Sequence, residues 1–206
     1  MNKPLVTVLT ALTLTSLAAA QMNHAGTTMT GGMTGSMTMM GGNQNMAGSM
    51  GGMMRSLTGI DRLTGRSFDR AFLSMMIPHH QAAVQMSQAI LKTTTDPQIK
   101  AWATAIIAAQ TPEITRMTAL LRAYGGPNTQ MARQMTGMMG GMTSGARPQN
   151  KDQAFVQEML QHHGSAVMMA NMALMRSQDP AILKLAQGIV TSQAQEMVDF
   201  QQYLRK

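Results

Sequence analysis

Residues 69–83 read DRAFLSMMIPHHQAA, and residues 152–166 read DQAFVQEMLQHHGSA. The second stretch is the first displaced by 83 residues, the separation of His79 from His162. The register continues without a gap, so that residues 69–123 lie on 152–206. It matches Asp69 with Asp152, Phe72 with Phe155, Met76 with Met159, His79-His80 with His162-His163, and Met86 with Met169. Further along it matches Asp96-Pro97 with Asp179-Pro180, Gln110 with Gln193 and Glu113 with Glu196. Four of the five histidines belong to this element. What the chain keeps in duplicate is mostly imidazole, thioether and carboxylate, the side chains that ligate metals.

The periodicity around these motifs is helical. Phe72, Met76, His79, Ala83, Met86 and Ile90 recur at alternating steps of four and three, as do Ile99, Ala103, Ile106, Gln110, Glu113, Met117 and Leu120. Phe155, Met159, His162, Ala166 and Met169 repeat the rhythm, and so do Ile182, Ala186, Ile189, Gln193, Glu196, Phe200 and Tyr203. Such seams face the interior of a helical bundle. Four helices are predicted: about Ser67 to Thr93, Asp96-Pro97 to Tyr124, Asn150 to Arg176, and Asp179-Pro180 to the C-terminus. Asp-Pro opens the second and fourth by the same device, an N-cap carboxylate followed by proline at the first helical position. Gly125-Gly126-Pro127 ends the second. The expected fold is all-α, a four-helix bundle made of two duplicated helical hairpins, 67–124 and 150–206. Between them lies a Gly/Met linker, 125–149, carrying Met131, Met135, Met138, Met139 and Met142.

Outward from the bundle (61–206), the rest of the 206 residues read as processing and tail. Lys3, the apolar run Leu5 to Leu17 and Ala18-Ala19-Ala20 form an expected signal peptide, residues 1–20. That run is too short to span a bilayer, which takes about 20 residues. No integral membrane segment is expected once it is removed, and the protein is expected to be periplasmic or secreted. Residues 21–60 are Met/Gly/Thr-rich; residues 22–54 contain no Leu, Ile, Val or Phe. Such a segment buries too little apolar surface to offset ordering, and is expected to be disordered. The chain has no cysteine, which excludes disulfides, thiolate metal sites and a cysteine-borne lipid anchor. The formal charge is +7, but the basic residues are scattered and only one Trp and two Tyr are available to stack on bases. A solvated basic surface is expected, and no nucleic-acid partner. No Ser/His/Asp or Cys/His nucleophile arrangement is visible, and no enzyme activity is expected.

The seam places polar groups inside. His79 stands 17 residues before Asp96 and Glu113 stands 17 after it. At about 1.5 Å per residue both lie about 25 Å from the turn, so His79 and Glu113 are expected to meet across the first hairpin. His162 and Glu196 are expected to do the same in the second. A buried carboxylate is costly unless a histidine or a metal compensates it. Met76 and Met86 flank His79, Met159 and Met169 flank His162, and Met117 stands one turn from Glu113. His80 and His163 point about 100° away from their neighbours, towards another ligand set or a boundary. Asp69 and Asp152 read as first-turn carboxylates that complement the helix dipole. Pro78 and Pro112 have no counterpart in the second hairpin, and no function is assigned to them.

The chain has 26 methionines. Thioethers are soft, neutral ligands suited to Cu(I), and imidazole suits Cu, Zn, Fe and Ni. A thioether also escapes the disulfide chemistry of an oxidising compartment. Copper is therefore the expected metal, with silver as its chemical mimic.

The pattern Asp69-x-x-Phe72-x-x-x-Met76-x-x-His79-His80-x-x-Ala83, followed by Gln110-x-x-Glu113-x-x-x-Met117, resembles the Domain of Unknown Function 305 family. The resemblance covers residues 69–206, and both repeats carry it. It implies a ferritin-like four-helix fold and a kinship with exported CopM-like copper-binding proteins implicated in copper resistance. The methionine and histidine ligands it implies are Met76, His79, His80 and Met86, with Met159, His162, His163 and Met169. Phe200 departs from the pattern, standing where Met117 stands in the first repeat.

Three functions follow. The first is non-catalytic sequestration or delivery of copper in metal homeostasis: Cu(I), with Cu(II) or silver as further cargo. Its candidate ligands are His79, His80, His162, His163, Met76, Met159, Met86, Met169, Glu113 and Glu196, and its partner would be another copper protein of the envelope. The second is a di-metal oxidase on a ferritin-like bundle, although Glu-x-x-His pairs are missing. The third is a metal-free helical interaction module whose His–Glu pairs are internal hydrogen bonds.

Overall fold

The computed structural model describes residues 59–142 and 150–206. The expected signal peptide and the Met/Gly/Thr-rich segment as far as residue 58 lie outside the described residues. Ile60, assigned by the sequence to that segment, is buried in a single 3-10 turn, Ile60–Arg62. Five α-helices follow, and no strand occurs among the described residues. They are α1 (Gly65–Leu91), α2 (Pro97–Ala123), α3 (Thr129–Met142), α4 (Lys151–Arg176) and α5 (Pro180–Tyr203).

The helix starts obey the predicted capping chemistry. The Asp96 side chain accepts the amide N–H groups of Gln98 and Ile99, at 2.7 and 3.2 Å, and Pro97 occupies the first turn. Asp179 accepts from Ala181 at 2.8 Å, and Asn150 caps α4 through Asp152 and Gln153. Each cap satisfies amide donors that have no partner within the helix. α2 ends where Gly125 and Gly126 take φ of 93° and 83°, a conformation open to glycine. Pro78 and Pro112 sit inside α1 and α2 without ending either helix.

α1 lies along α2, and α4 lies along α5. α1 also packs on α4 and on α3. The core forms two apolar clusters. One contains Phe72, Met76, Met117, Ala166, Met169 and Ile189. The other contains Ala83, Ile90, Ile106, Phe155, Met159 and Phe200. Each therefore combines one half of α1 with the opposite half of α4, which runs antiparallel to it. Tyrosines tie the hairpins at both ends: Tyr124 donates its hydroxyl to Asp179, and Tyr203 donates to Asp96 at 2.8 Å. Each hydroxyl thus bonds the capping carboxylate of the other hairpin.

α3 corrects the sequence reading of 125–149 as a plain linker. Met131, Met135 and Met139 recur at steps of four, which places them on one helical face, and all three are buried. The turn before α3 is pinned to α1. Arg70 donates to the carbonyls of Gly126 and Pro127, at 2.6 and 2.9 Å, and Ser74 Oγ accepts the Asn128 amide at 2.8 Å. The composition signals a linker because it lacks the usual aliphatic residues; burial on α1 supplies the stability that local propensity does not. Residues 143–149 lie outside the described residues. Among the described residues no helix is long and apolar enough to cross a membrane.

Candidate metal centre

Adjacent residues on a helix point about 100° apart, so the two histidines of each pair face different neighbours. His79 on α1 and His162 on α4 turn towards each other, with ring centroids 3.7 Å apart. His80 lies 6.2 Å from His79 between ring centroids, and His163 lies 6.2 Å from His162. The repeats thus merge into one row: His80, His79, His162, His163. All four imidazoles are buried.

Both outer histidines end on a carboxylate. His80 Nε2 meets Glu113 Oε2 at 3.0 Å, and His163 Nε2 meets Glu196 Oε2 at 2.6 Å. This corrects the expected partners, since the sequence reading gave Glu113 to His79 and Glu196 to His162. The heights along the hairpin were right and the helix rotation was not. The glutamates stand at the rim, 23% and 24% exposed, where the charge keeps some hydration. At the bundle centre it would lose that hydration at a cost of several kcal/mol.

The inner histidines are held by oxygen acceptors. His162 Nε2–H donates to the backbone carbonyl of His79 at 3.0 Å. Ser165 Oγ–H donates to the carbonyl of His162 at 2.7 Å, and its oxygen then accepts from His79 Nε2–H at 2.6 Å. Ser165 is a site residue that sequence reasoning missed. Its only signal there is that it replaces Ala82 at the matching place of the motif. Burial holds both inner imidazoles well below their ordinary value of 6.5. For His79 the neighbouring histidines, His162 foremost, push the same way; for His162 it is His163, then His80, with the His79 carbonyl opposing. The inner rings are therefore neutral, and each Nδ1 carries a lone pair.

Every one of the four Nε2 atoms has an oxygen partner. Every one of the four Nδ1 atoms is buried with no hydrogen-bond partner. Buried nitrogens are ordinarily satisfied, so four orphans at one level of the fold require an explanation.

The flanking thioethers divide between the two sides of this row. Met76 and Met169 belong to one core cluster, and Met159 and the half-buried Met86 belong to the other. Each side thus pairs a methionine of one repeat with the non-matching methionine of the other. Phe200 approaches the His163 ring, centroids 5.4 Å apart, at the position that Met117 holds in the first repeat. Among the described residues no three His, Asp or Glu side chains stand close enough to hold a metal between them.

The sequence matches the family described as domain of unknown function (DUF305) over residues 9–121 and again over 74–204. It is 47% identical over 53 residues to an uncharacterised protein of Acanthamoeba polyphaga mimivirus, covering 26% of this chain and 35% of that one. The chain therefore spans about a third of that relative's length. Among solved structures it is similar to CopM. The silver-bound form is 28% identical with a TM-score of 0.56, covering 69% of this chain and 97% of that one. The Cu(II)-bound form is 30% identical with a TM-score of 0.56, covering 66% and 96%. It is also similar to a putative secreted DUF305 protein from Streptomyces coelicolor, 27% identical with a TM-score of 0.54, covering 64% and 88%.

Proposed function

The chain belongs to the DUF305 family, and from that premise we propose that it is an exported, non-catalytic copper-binding protein of the cell envelope. Its described helices are then the core of a ferritin-like four-helix bundle, and residues 1–20 its cleaved signal. The observation that carries this reading is the state of the four histidines. A histidine that ligates a metal typically donates one ring N–H to a carboxylate or carbonyl and offers its other nitrogen to the ion. Here Nε2 of His80 and His163 meets a carboxylate, that of His162 a carbonyl and that of His79 the Ser165 hydroxyl, and each Nδ1 is buried with no hydrogen-bond partner.

The ligands would be the Nδ1 atoms of His79, His80, His162 and His163 with the thioethers of Met76, Met86, Met159 and Met169. Glu113 and Glu196 orient His80 and His163 from the rim. An all-neutral nitrogen and sulfur set favours Cu(I), with Ag(I) as its mimic. It lacks the clustered carboxylates on which a di-metal oxidase depends. CopM, whose solved forms include silver-, Cu(II)- and Cu(I)-bound ones, supports the same cargo. The protein would sequester copper or pass it to another copper protein of the envelope.

Competition for Cu(I) against a chelator of known affinity tests this. Replacing His79, His80, His162 and His163 by Gln should abolish the tight binding. Unchanged affinity in that variant would remove the histidine row from the account. A metal-free interaction module keeps the same hydrogen bonds but shows no rise in melting temperature with Cu(I) or Ag(I), whereas a ligand bound to the native state must raise it.

A further inference from the structure

The sequence of α3 is TQMARQMTGMMGGM. Every apolar residue in it larger than alanine is methionine. Met131, Met135 and Met139 form one buried face, 9%, 0% and 8% exposed. They belong to the same core cluster as Met75 of α1, which is fully buried. Met75 lies about 100° from the bundle seam at Met76, and Ser74, which holds the chain entering α3, lies a further 100° round. Met75 therefore stands between the seam and α3. Met168 and Met172 of α4 are half-buried against this cluster, whereas Gln85 and Ala89 at the matching places of the first repeat are exposed. Met168 and Met172 thus have no methionine counterpart in the first repeat.

Packing alone does not account for this choice of residue. Methionine loses more rotamer freedom on burial than leucine, and leucine forms helices as well. Gly137 inside the helix lowers its propensity further. What methionine adds at every apolar position is a polarisable sulfur.

We propose that Met131, Met135 and Met139 of α3, with Met75 of α1, form a second soft-cation site, a thioether site for Cu(I) or Ag(I) separate from the histidine row. The proposal deepens the copper-binding reading and rests on it. Met135 is fully buried, and Met131 and Met139 on either side of it are slightly exposed. All donors are neutral thioethers, so loading releases no proton.

Ag(I), which does not change oxidation state, is the probe, added in chloride-free buffer to the full chain labelled at its methionine methyl groups. The Met131, Met135 and Met139 methyl resonances, assigned by single Met→Leu variants, should shift together as Ag(I) is added. The volume-conserving variant Met131→Leu/Met135→Leu/Met139→Leu should keep its helical circular dichroism and bind one Ag(I) fewer. The four-histidine Gln variant should keep those methyl shifts. Methyl groups of α3 that stay in place while Ag(I) binds elsewhere overturn the proposal and leave the histidine row standing. Loss of histidine-row binding with α3 shifts retained supports a separate site, and α3 shifts that vanish in the histidine variant overturn its separateness. If the triple variant unfolds, the methyl shifts in the parent protein decide alone.

Discussion

His79 and His162, 83 residues apart in sequence, face each other across α1 and α4 with ring centroids 3.7 Å apart. Two copies of one motif meet there, and the contact joins two histidine pairs into one row. Several measurable consequences follow from that contact and its supports.

Stability should fall as the pH drops below about 6.5. His79 and His162 are both held well below that ordinary value by burial. In the unfolded chain they take up protons first, so unfolding becomes favoured as pH falls. The loss is up to about 1.4 kcal/mol per ring per pH unit, present until the folded-state values are reached. Asp69, raised above 3.8 chiefly by desolvation, works in the opposite direction, and the depressed carboxylates of Asp96 and Asp179 act only lower in the scale. Urea unfolding at about pH 7.5 and about pH 5.5 measures the difference. Equal midpoints would show that the inner rings are not held neutral.

Ser165→Ala should cost about 1 kcal/mol, at the low end for a buried hydrogen bond. It removes the acceptor of His79 Nε2–H but frees the His162 carbonyl to take its place. The matching carbonyl, that of His79, already accepts directly from His162 at 3.0 Å. A loss above about 3 kcal/mol would mean that the ring cannot re-pair.

Tyr124→Phe and Tyr203→Phe should each destabilise the fold by about 1 kcal/mol, since each removes a hydrogen bond to a capping carboxylate. The tyrosines bind different caps, Asp179 and Asp96, so the double variant should show the sum of the single effects. Thermal or urea unfolding of the three variants checks both the size and the additivity.

Methionine replacements should follow the clusters rather than the repeats. Met76→Leu/Met169→Leu takes both thioethers from one side of the histidine row, and Met86→Leu/Met159→Leu takes both from the other. Each double variant should weaken Cu(I) about tenfold or more, roughly 1.4 kcal/mol, at nearly unchanged stability. A loss confined to Met76→Leu/Met159→Leu, with both same-cluster pairs silent, would contradict the assignment of these thioethers to two sides of the row.

The outline of the fold was written along the chain. Alternating steps of three and four positioned the seams of four long helices, and Asp96-Pro97 and Asp179-Pro180 marked two helix starts that the structure reproduces. The candidate donors were legible too, because a duplicated His-His flanked by methionine stands out against any background. α3 was not legible. Its methionine and glycine composition carries little helical signal, and only the face of α1 that buries Met131, Met135 and Met139 makes it a helix.

By itself, then, the sequence determined the four long helices, the Asp-Pro caps, the duplication and the residue types of the candidate donors, since these depend on local backbone chemistry and on residue type. Tertiary structure alone decided that His80, not His79, meets Glu113, that the two repeats share one histidine row, and that Ser165 completes it. The physical reason is rotational. Helical periodicity fixes the angles between residues about their own axis, but the orientation of that axis against its neighbours is set by how whole faces interlock. Two adjacent histidines, 100° apart, exchange roles with a modest turn of one helix.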